Sequence, residues 1–440
     1  MSSSQREVLG FTPYQWLVIF AAWLGWGFDV FDALLFNYVA RLCVPSLLGV
    51  GADQKHLITQ WVGILTSVLL IGWALGGILF GKITDRIGRT KTLLLTMMTY
   101  ALATAACAFA PNIWVLMLFR FIASLGIGGE WAAGAALVAE TVPEKKRVAA
   151  GALLYTAAPA GLFLATFVTD LFTRQLTFIA SDPNLSWRAV FLTGLIPAAV
   201  ALLIRLKVRE PEGWSAAEEK PKIAELFSPA YRRRTIGGLV VALVALITWW
   251  SCNAFVPTIA SFLAQDQAAG ISPEAGRLLQ AQYITISTTS FNLGGLIGTL
   301  LTIPIAVYCG RRPMFIGYFA ASAVSIWLAF QGDFHSETRL YILFFVGLTV
   351  FGVFGSFTFY LPELFPMRLR GTGSGFCYNT GRLITAVGPF LVGAVASSAS
   401  TSEEIMTIVS WVAAVPLAGC LLVMAGLGEE TKGQALESQS

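Results

Sequence analysis

Apolar stretches of about 20 residues recur along the whole sequence, and this is the length of helix that crosses the hydrocarbon core of a bilayer. Hydrophobic residues make up 56% of the 440 and charged residues only 12%, so most of the chain cannot face water on every side. The sequence therefore predicts an all-α polytopic membrane protein with twelve transmembrane helices. Their predicted centres lie near Ala21, Leu69, Ala101, Ile127, Leu162, Ile196, Thr248, Leu293, Ala321, Val350, Ala386 and Ala414.

The first apolar stretch continues through Asp29 and Asp32 into Asn37 and Tyr38, and no small-residue cleavage site follows it. It therefore predicts a retained spanning helix rather than a signal segment. The six cysteines occur singly, so we expect neither a metal site nor a disulfide framework.

Lysine and arginine are distributed unevenly between the connections of the predicted spans. One side of the membrane collects 21 of them and the other only 6, while Arg120 and Arg382 fall inside spans. We expect the protein to lie in the cytoplasmic (inner) membrane of the cell. Because positive residues concentrate on the cytoplasmic side, we expect both termini and the central loop to be cytoplasmic. The formal charge of +4 reflects this topology, and we expect no nucleic-acid partner.

The longest polar stretch, residues 207–234, divides the spans into two sets of six. The segment from Glu140 to Arg147 recurs as Glu363 to Arg370 at a spacing of 223, and a Gly-Arg pair at Gly88 recurs at a spacing of 222. We therefore predict two pseudo-symmetric six-helix bundles, residues 1–206 and 235–440, joined by a cytoplasmic loop and enclosing a substrate path. We expect a monomer.

Four segments carry recognisable motifs: GKITDRIGRTK (residues 81–91), RFIASLGIGGEW (120–131), AETVPEKKR (139–147) and YLPELFPMRLRGTGSG (360–375). The first resembles the GxxxDRxGRRx signature of the major facilitator superfamily, with Thr90 in place of the usual base. The second resembles that superfamily's RxxxGxGxGGE helix, and the last its PELFPxxxRGxG segment. The tail from Glu430 to Glu437 resembles the PETKGxxLE ending of the same porters. Asp29-Val-Phe-Asp32 resembles the first-span motif of its proton-coupled aromatic-acid, sialate and monocarboxylate symporters, although Val30 stands where many have glycine.

The resemblance implies the major facilitator fold and two groups of functional residues. Arg120 and Glu130 would belong to a helix associated with proton-coupled uptake; a structural ion pair of Arg120 is the alternative. Glu140 and Glu363 would gate the cytoplasmic side through salt bridges between helices; simple surface solvation is the alternative. For the turn at residues 81–91, the alternative is a plain positive-inside loop. The expected gating set is Gly81, Asp85, Arg86, Gly88, Arg89, Glu140, Arg147, Glu363 and Arg370.

The two aspartates of the first span lie three residues apart, which places them about 60° apart on one helical face. Both lie near the middle of the membrane, where two neighbouring carboxylates do not easily ionise together. At least one of Asp29 and Asp32 is therefore expected to hold a proton on one side and release it on the other. Helix capping, or a permanent pair with Arg120, is the structural alternative.

Arg382 in the eleventh span is the complementary charge, because no carboxylate is visible in the second set of spans. A substrate carboxylate would satisfy it through two parallel hydrogen bonds; an aspartate from the first half is the alternative. Aromatic and amide side chains at mid-membrane could complete a pocket, although Trp249 and Trp250 could equally face lipid. The expected substrate-binding set is Arg382, Asn379, Asn37, Tyr38, Trp250, Asn253 and Asn292.

These features favour a proton-coupled symporter that imports a small organic anion by alternating access, its partners being the anion, protons and the bilayer. A facilitative or proton-coupled sugar or polyol porter is the first alternative, but the sugar-porter QQxSGxN pattern is missing from span seven. Drug efflux ranks third, because the fuller GPxxGG run is absent from span five. An enzyme would need a nucleophile with a base or a metal cluster, and a sensor an added soluble domain. We expect neither class, and no cofactor.

Overall fold

A computed structural model describes residues 11–51, 53–87, 89–142, 150, 153–197, 199–200, 222–366, 369–397 and 401–432. Within these ranges the chain is helical apart from short connections. The helices that carry the fold are α1 (Pro13–Leu48), α2 (Lys55–Ile87), α3 (Arg89–Cys107), α4 (Ile113–Thr141), α5 (Leu153–Gln175), α6 (Pro183–Leu192), α7 (Arg232–Gln267), α8 (Pro273–Cys309), α9 (Arg311–Gln331), α10 (Ser336–Glu363), α11 (Arg370–Thr385 and Val387–Ala396, which meet at Ala386) and α12 (Ser402–Met424).

Eight of these helices are long and apolar enough to cross a membrane, counting only the described residues: α1, α2, α5, α7, α8, α9, α10 and α12. Two shorter apolar helices, Lys91–Cys107 and Ile113–Gly129, lie within α3 and α4. The predicted centres fall in helical segments, with Ala386 at the junction inside α11 and Ile196 in a helical turn just beyond α6.

The predicted central loop, residues 207–234, is described only from Lys222 onward. There Ile223–Phe227 forms a short 3₁₀-helix, and α7 already begins at Arg232, slightly before the predicted start of the second half.

Helix α1 runs through the interior of the fold. It starts with a capping box in which the Thr12 hydroxyl accepts from the Gln15 N–H (3.3 Å) and the Gln15 side chain accepts from the Thr12 N–H (3.0 Å). Its most apolar window, like that of α7, is 78% buried, compared with 50% for α8 and α12. A helix that is apolar and buried on every side packs inside the protein. Asp29 and Asp32, both fully buried, therefore lie inside the protein rather than against lipid.

Glycines bring α2 onto α4 and α8 onto α10. A Cβ at Gly76 would collide with the main-chain oxygen of Leu125, and one at Gly298 with that of Leu348. Backbone contact of this kind is the usual way that small residues join helices in membranes. Gly294 forms such a contact too, with the main-chain oxygen of Phe344, whereas Gly72 lies against the side chain of Ser124 in α4. Both glycine pairs, 72/294 and 76/298, are 222 positions apart, the spacing found for the repeated Gly-Arg pair. The same packing thus recurs in both halves.

Gly298→Ala is expected to destabilise the protein by about 1–3 kcal/mol, because the added methyl group meets an immovable main-chain oxygen. Thermal unfolding of the purified protein, followed by intrinsic fluorescence, measures the change. Gly317→Ala in α9 is the matched control, since nothing lies within 4 Å of a Cβ there. It should be neutral or slightly stabilising, because alanine favours a helix over glycine by about 1 kcal/mol. Equal melting temperatures for the two variants would contradict the packing role of Gly298.

Candidate transport site

Arg382 lies in the middle of the fold with only 4% of its surface exposed. Its guanidinium stacks on the Trp73 ring of α2, 4.2 Å from the ring centre, and lies 4.8 Å from that of Tyr378. Its Nη1 makes one long hydrogen bond, 3.4 Å, to Asn379 Oδ1, and its Nε has no hydrogen-bond partner. Among the described residues Arg382 forms no ion pair. A buried cation in this state is costly unless an anion meets it.

Aromatic rings from both halves surround this arginine. Trp73 makes an edge contact with Trp250 (centroids 5.5 Å apart), which makes another with Trp249 (4.7 Å). Trp249 in turn stacks on Phe351, at 5.4 Å. Tyr155 touches Phe351 at 6.2 Å and Trp26 at 4.9 Å. The two tryptophans of α7 are buried, so they face the protein interior and not lipid. The shell offers flat apolar surfaces beside a single positive charge.

Several predicted polar residues lie in α1, α7 and α8 beside this region. Asn292 of α8 donates through Nδ2 to Tyr38 Oη of α1 (3.4 Å) and to Thr166 Oγ1 of α5 (3.3 Å), so it links the two halves. Asn37 accepts from Thr66 Oγ1 at 3.3 Å. Asn37 Nδ2, Asn253 Oδ1 and Asn292 Oδ1 are buried without hydrogen-bond partners. The amides therefore retain unused hydrogen-bonding capacity within the interior.

The carboxylate of Asp32 points into the first half. It accepts a hydrogen bond from Thr104 Oγ1 of α3 at 2.6 Å. Arg120 of α4 is also buried, but its two hydrogen bonds go to main-chain oxygens of α1, from Nη1 to Asp32 (3.0 Å) and from Nη2 to Ala33 (2.6 Å). Its charge attracts the Asp32 carboxylate without a direct ion pair. Arg120 thus belongs to the interior of the first half.

Asp29 interacts electrostatically with Arg382. It is fully buried, and its negative charge attracts the guanidinium of Arg382 across the boundary between the halves. The sequence placed Asp29, Asp32 and Arg120 in one centre. In the structure Asp32 accepts from Thr104 and is attracted by Arg120 within the first half, whereas the charge of Asp29 also attracts Arg382 of the second half.

Glu363 at the end of α10 forms a two-point ion pair with Arg311 at the start of α9, with N–O distances of 2.7 and 3.1 Å. Thr431 Oγ1 also donates to it, at 2.6 Å. This is a salt bridge between helices, as expected, but it lies within the second half and its partner is Arg311. For the other predicted gating residues the structure describes the helical backbone but not the side chains, and the same holds for Glu130: these are Asp85, Arg86, Arg89, Glu140 and Arg370, with Gly81 in the helical backbone of α2. Gly88 and Arg147 lie outside the described ranges.

The tail after α12 is attached to the same place. The Glu430 carboxylate accepts the main-chain N–H groups of Arg311 (3.0 Å) and Arg312 (2.9 Å), the first residues of α9. Burial alone would raise the pKa of Glu430, but these donors, the N–H of Lys432 and the charge of Arg311 together hold that pKa below its usual value. An anion at a helix N-terminus is stabilised in this way. The ETKG tail therefore holds the start of α9 and the end of α10 together.

Sequence reasoning missed Trp73, Tyr378, Tyr155 and Thr104. Tyr378 could have been found, because it precedes Arg382 by four residues and so shares its helical face. Trp73 and Thr104 belong to other helices, and no local signal links them to Arg382 or Asp32.

Residues 16–389 match the profile of the Major Facilitator Superfamily. The chain is 29% identical to a probable 4-methylmuconolactone transporter of Cupriavidus pinatubonensis, over 97% of this chain and 93% of that protein. It is 28% identical to a gentisate transporter of Corynebacterium glutamicum, over 85% and 80% of the two chains. The crystal structure of a D-xylose-proton symporter has the same fold, with a TM-score of 0.75 at 17% identity over 96% of this chain and 100% of that one.

The family profile spans most of the sequence, and the two transporters align with 97% and 85% of this chain. The chain therefore belongs to the Major Facilitator Superfamily: it is a multi-pass membrane transporter, not an enzyme, with that family's fold of twelve helices in two six-helix bundles.

Proposed function

We propose that this transporter imports a small organic carboxylate, preferably one with a flat unsaturated or aromatic ring, together with protons. Arg382 carries the proposal, because it is buried against two aromatic rings and forms no ion pair within the described part of the chain. A carboxylate would meet its guanidinium in two parallel hydrogen bonds, while Trp73, Trp250 and Trp249 would pack against the ring. The relatives named for gentisate and 4-methylmuconolactone support this substrate class.

Proton coupling follows from the charge of Asp29. An ionised Asp29 attracts the Arg382 guanidinium and repels a second anion. When Asp29 is protonated, the guanidinium is available to bind the carboxylate of the substrate. Binding of the proton and binding of the anion then favour each other, and this coupling is reciprocal. Asp32, held by Thr104 and attracted by Arg120, would provide a second protonation site in the first half.

Transport itself would proceed by alternating access between bundles 1–206 and 235–440, in the cytoplasmic membrane with both termini inside. The cytoplasmic gate would use the Asp85, Arg86 and Arg89 loop with Glu140 and Arg147, and Glu363 with Arg370 in the second half. A sugar or polyol carries no charge to match the buried guanidinium of Arg382, so the carboxylate is favoured over a sugar or polyol.

Proteoliposomes test the proposal. Labelled benzoate and gentisate should accumulate when the outside is more acidic than the lumen, and a protonophore should abolish the accumulation. Labelled xylose, added outside the same vesicles, should not accumulate in them. Accumulation of xylose without that of any carboxylate in the panel would overturn the proposal.

A further inference from the structure

An outer cleft lies between the two halves, formed by α1, α5, α6 and α8. Both halves contribute polar side chains to its wall. These include Tyr38, Arg41, Thr169, Thr173, Arg277 and Gln280.

Arg41 is the buried charge of this cleft, with 7% of its surface exposed. Its Nη1 donates to the main-chain oxygen of Ser261 in α7, at 2.9 Å. It forms no ion pair with any described residue. The carboxylate that attracts it, Asp266, is itself paired with Lys55 at 2.6 Å. A guanidinium has five N–H donors, so most of the donors of Arg41 remain available to a bound group. A buried arginine beside a cavity in this state is expected to meet an anion.

A second, independent observation lies on the facing wall. The Thr169 hydroxyl is buried, lines the cleft and has no hydrogen-bond partner. The neighbouring Asp170 does not oppose an anion there, because its carboxylate accepts hydrogen bonds from Arg174, Gln175 and Thr285. Arg277, on the α8 side, donates to the main-chain oxygen of Ser181 at 3.0 Å and adds positive charge at the mouth.

We propose that this outer cleft is a second carboxylate-binding site, with Arg41 as its buried anchor, Thr169 as a hydroxyl donor and Arg277 at its entrance. Arg41 lies twelve residues beyond Asp29 along α1, about 18 Å at 1.5 Å per residue, so the cleft is separate from the Arg382 site. The site would hold the transported anion at the outer end of its path while the halves are closed above Arg382. Its assignment to the transported anion rests on the proposed function.

Calorimetric titration of the full-length protein in nanodiscs with benzoate tests the second site. In an Arg382→Ala background, benzoate should still bind, at one weak site. Adding Arg41→Gln should lower that residual affinity by about tenfold or more, because a charge-assisted contact is lost. Adding Thr169→Val should lower it several-fold. Arg41→Lys, which keeps a charge and a donor for the Ser261 oxygen, should lower it less than Arg41→Gln.

Three results would overturn the site. The first is that Arg382→Ala binds no benzoate. The second is that adding Arg41→Gln leaves the residual benzoate affinity unchanged. The third is that uncharged benzamide binds as tightly as benzoate. Equal displacement of benzoate by chloride or phosphate would overturn its selectivity for organic carboxylates. Unchanged melting temperatures of the Arg41 variants are required, since Arg41 also joins α1 to α7. If the protein fails to transport any carboxylate while Arg41-dependent benzoate binding persists, the proposed function fails and the outer site stands.

Discussion

Arg382→Ala is expected to weaken binding of a carboxylate substrate by about 100-fold or more, because it removes the proposed cationic partner of a desolvated anion. Arg382→Lys should weaken it by about tenfold, since an ammonium keeps the charge but loses the two-point geometry and the stacking on Trp73. Equilibrium binding of benzoate or gentisate to the purified variants measures both effects. Equal affinity for wild type, Lys and Ala would remove Arg382 from the site.

The melting temperatures of variants distinguish a substrate-binding role of Arg382 from a structural role. The unliganded Arg382→Ala protein should melt at the same temperature as wild type or higher, because the substitution removes a buried charge that forms no ion pair with any described residue. Arg339→Ala is the matched control. That arginine is also largely buried, but its guanidinium donates to the main-chain oxygens of Ala329 (2.5 Å) and Gly332 (2.9 Å). Arg339→Ala should therefore lower the melting temperature and leave benzoate affinity unchanged. The opposite pattern would assign Arg382 to the scaffold.

Helix positions were predictable here because a bilayer imposes one length and one composition on every span. The same pattern singled out Arg382 and Arg120, since an arginine inside an apolar stretch stands out. It could not say which way either side chain points. Arg120 turns to the carbonyls of Asp32 and Ala33 within its own half, whereas Arg382 turns to Trp73 of the other half.

The partners of these residues were not predictable for a physical reason. Trp73 meets Arg382 only because α2 and α11 pack together, and Thr104 meets Asp32 only because α3 lies against α1. Such pairings depend on the rotation and crossing of helices that are far apart in sequence. Spacing within one helix carries that information only for neighbours such as Tyr378 and Arg382.

Asp32→Asn and Asp29→Asn are each expected to abolish concentrative uptake, since each removes a group that the proposed cycle protonates. A gradient of about two pH units can hold a roughly 100-fold accumulation of an anion carried with one proton, because each tenfold ratio corresponds to about 1.4 kcal/mol. In both variants the accumulation ratio in proteoliposomes should fall to about one. Exchange of labelled for unlabelled benzoate across the same vesicles should continue, because exchange needs the carboxylate site but no net proton release.

The two variants should nevertheless differ in binding, because the carboxylates serve different arginines. Asn at position 29 resembles the protonated aspartate permanently, so Arg382 should bind benzoate tightly and with little dependence on pH. Asn at position 32 leaves Asp29 in place, so the affinity should still fall as pH rises and an ionised Asp29 competes with benzoate for Arg382. Thr104→Val removes the hydrogen bond to Asp32 without changing any charge, and it should reduce but not abolish accumulation.

Unchanged concentrative transport in both Asp29→Asn and Asp32→Asn would exclude the pair from coupling. Loss of exchange in Asp32→Asn would instead indicate that Asp32 supports the packing of α1, α3 and α4.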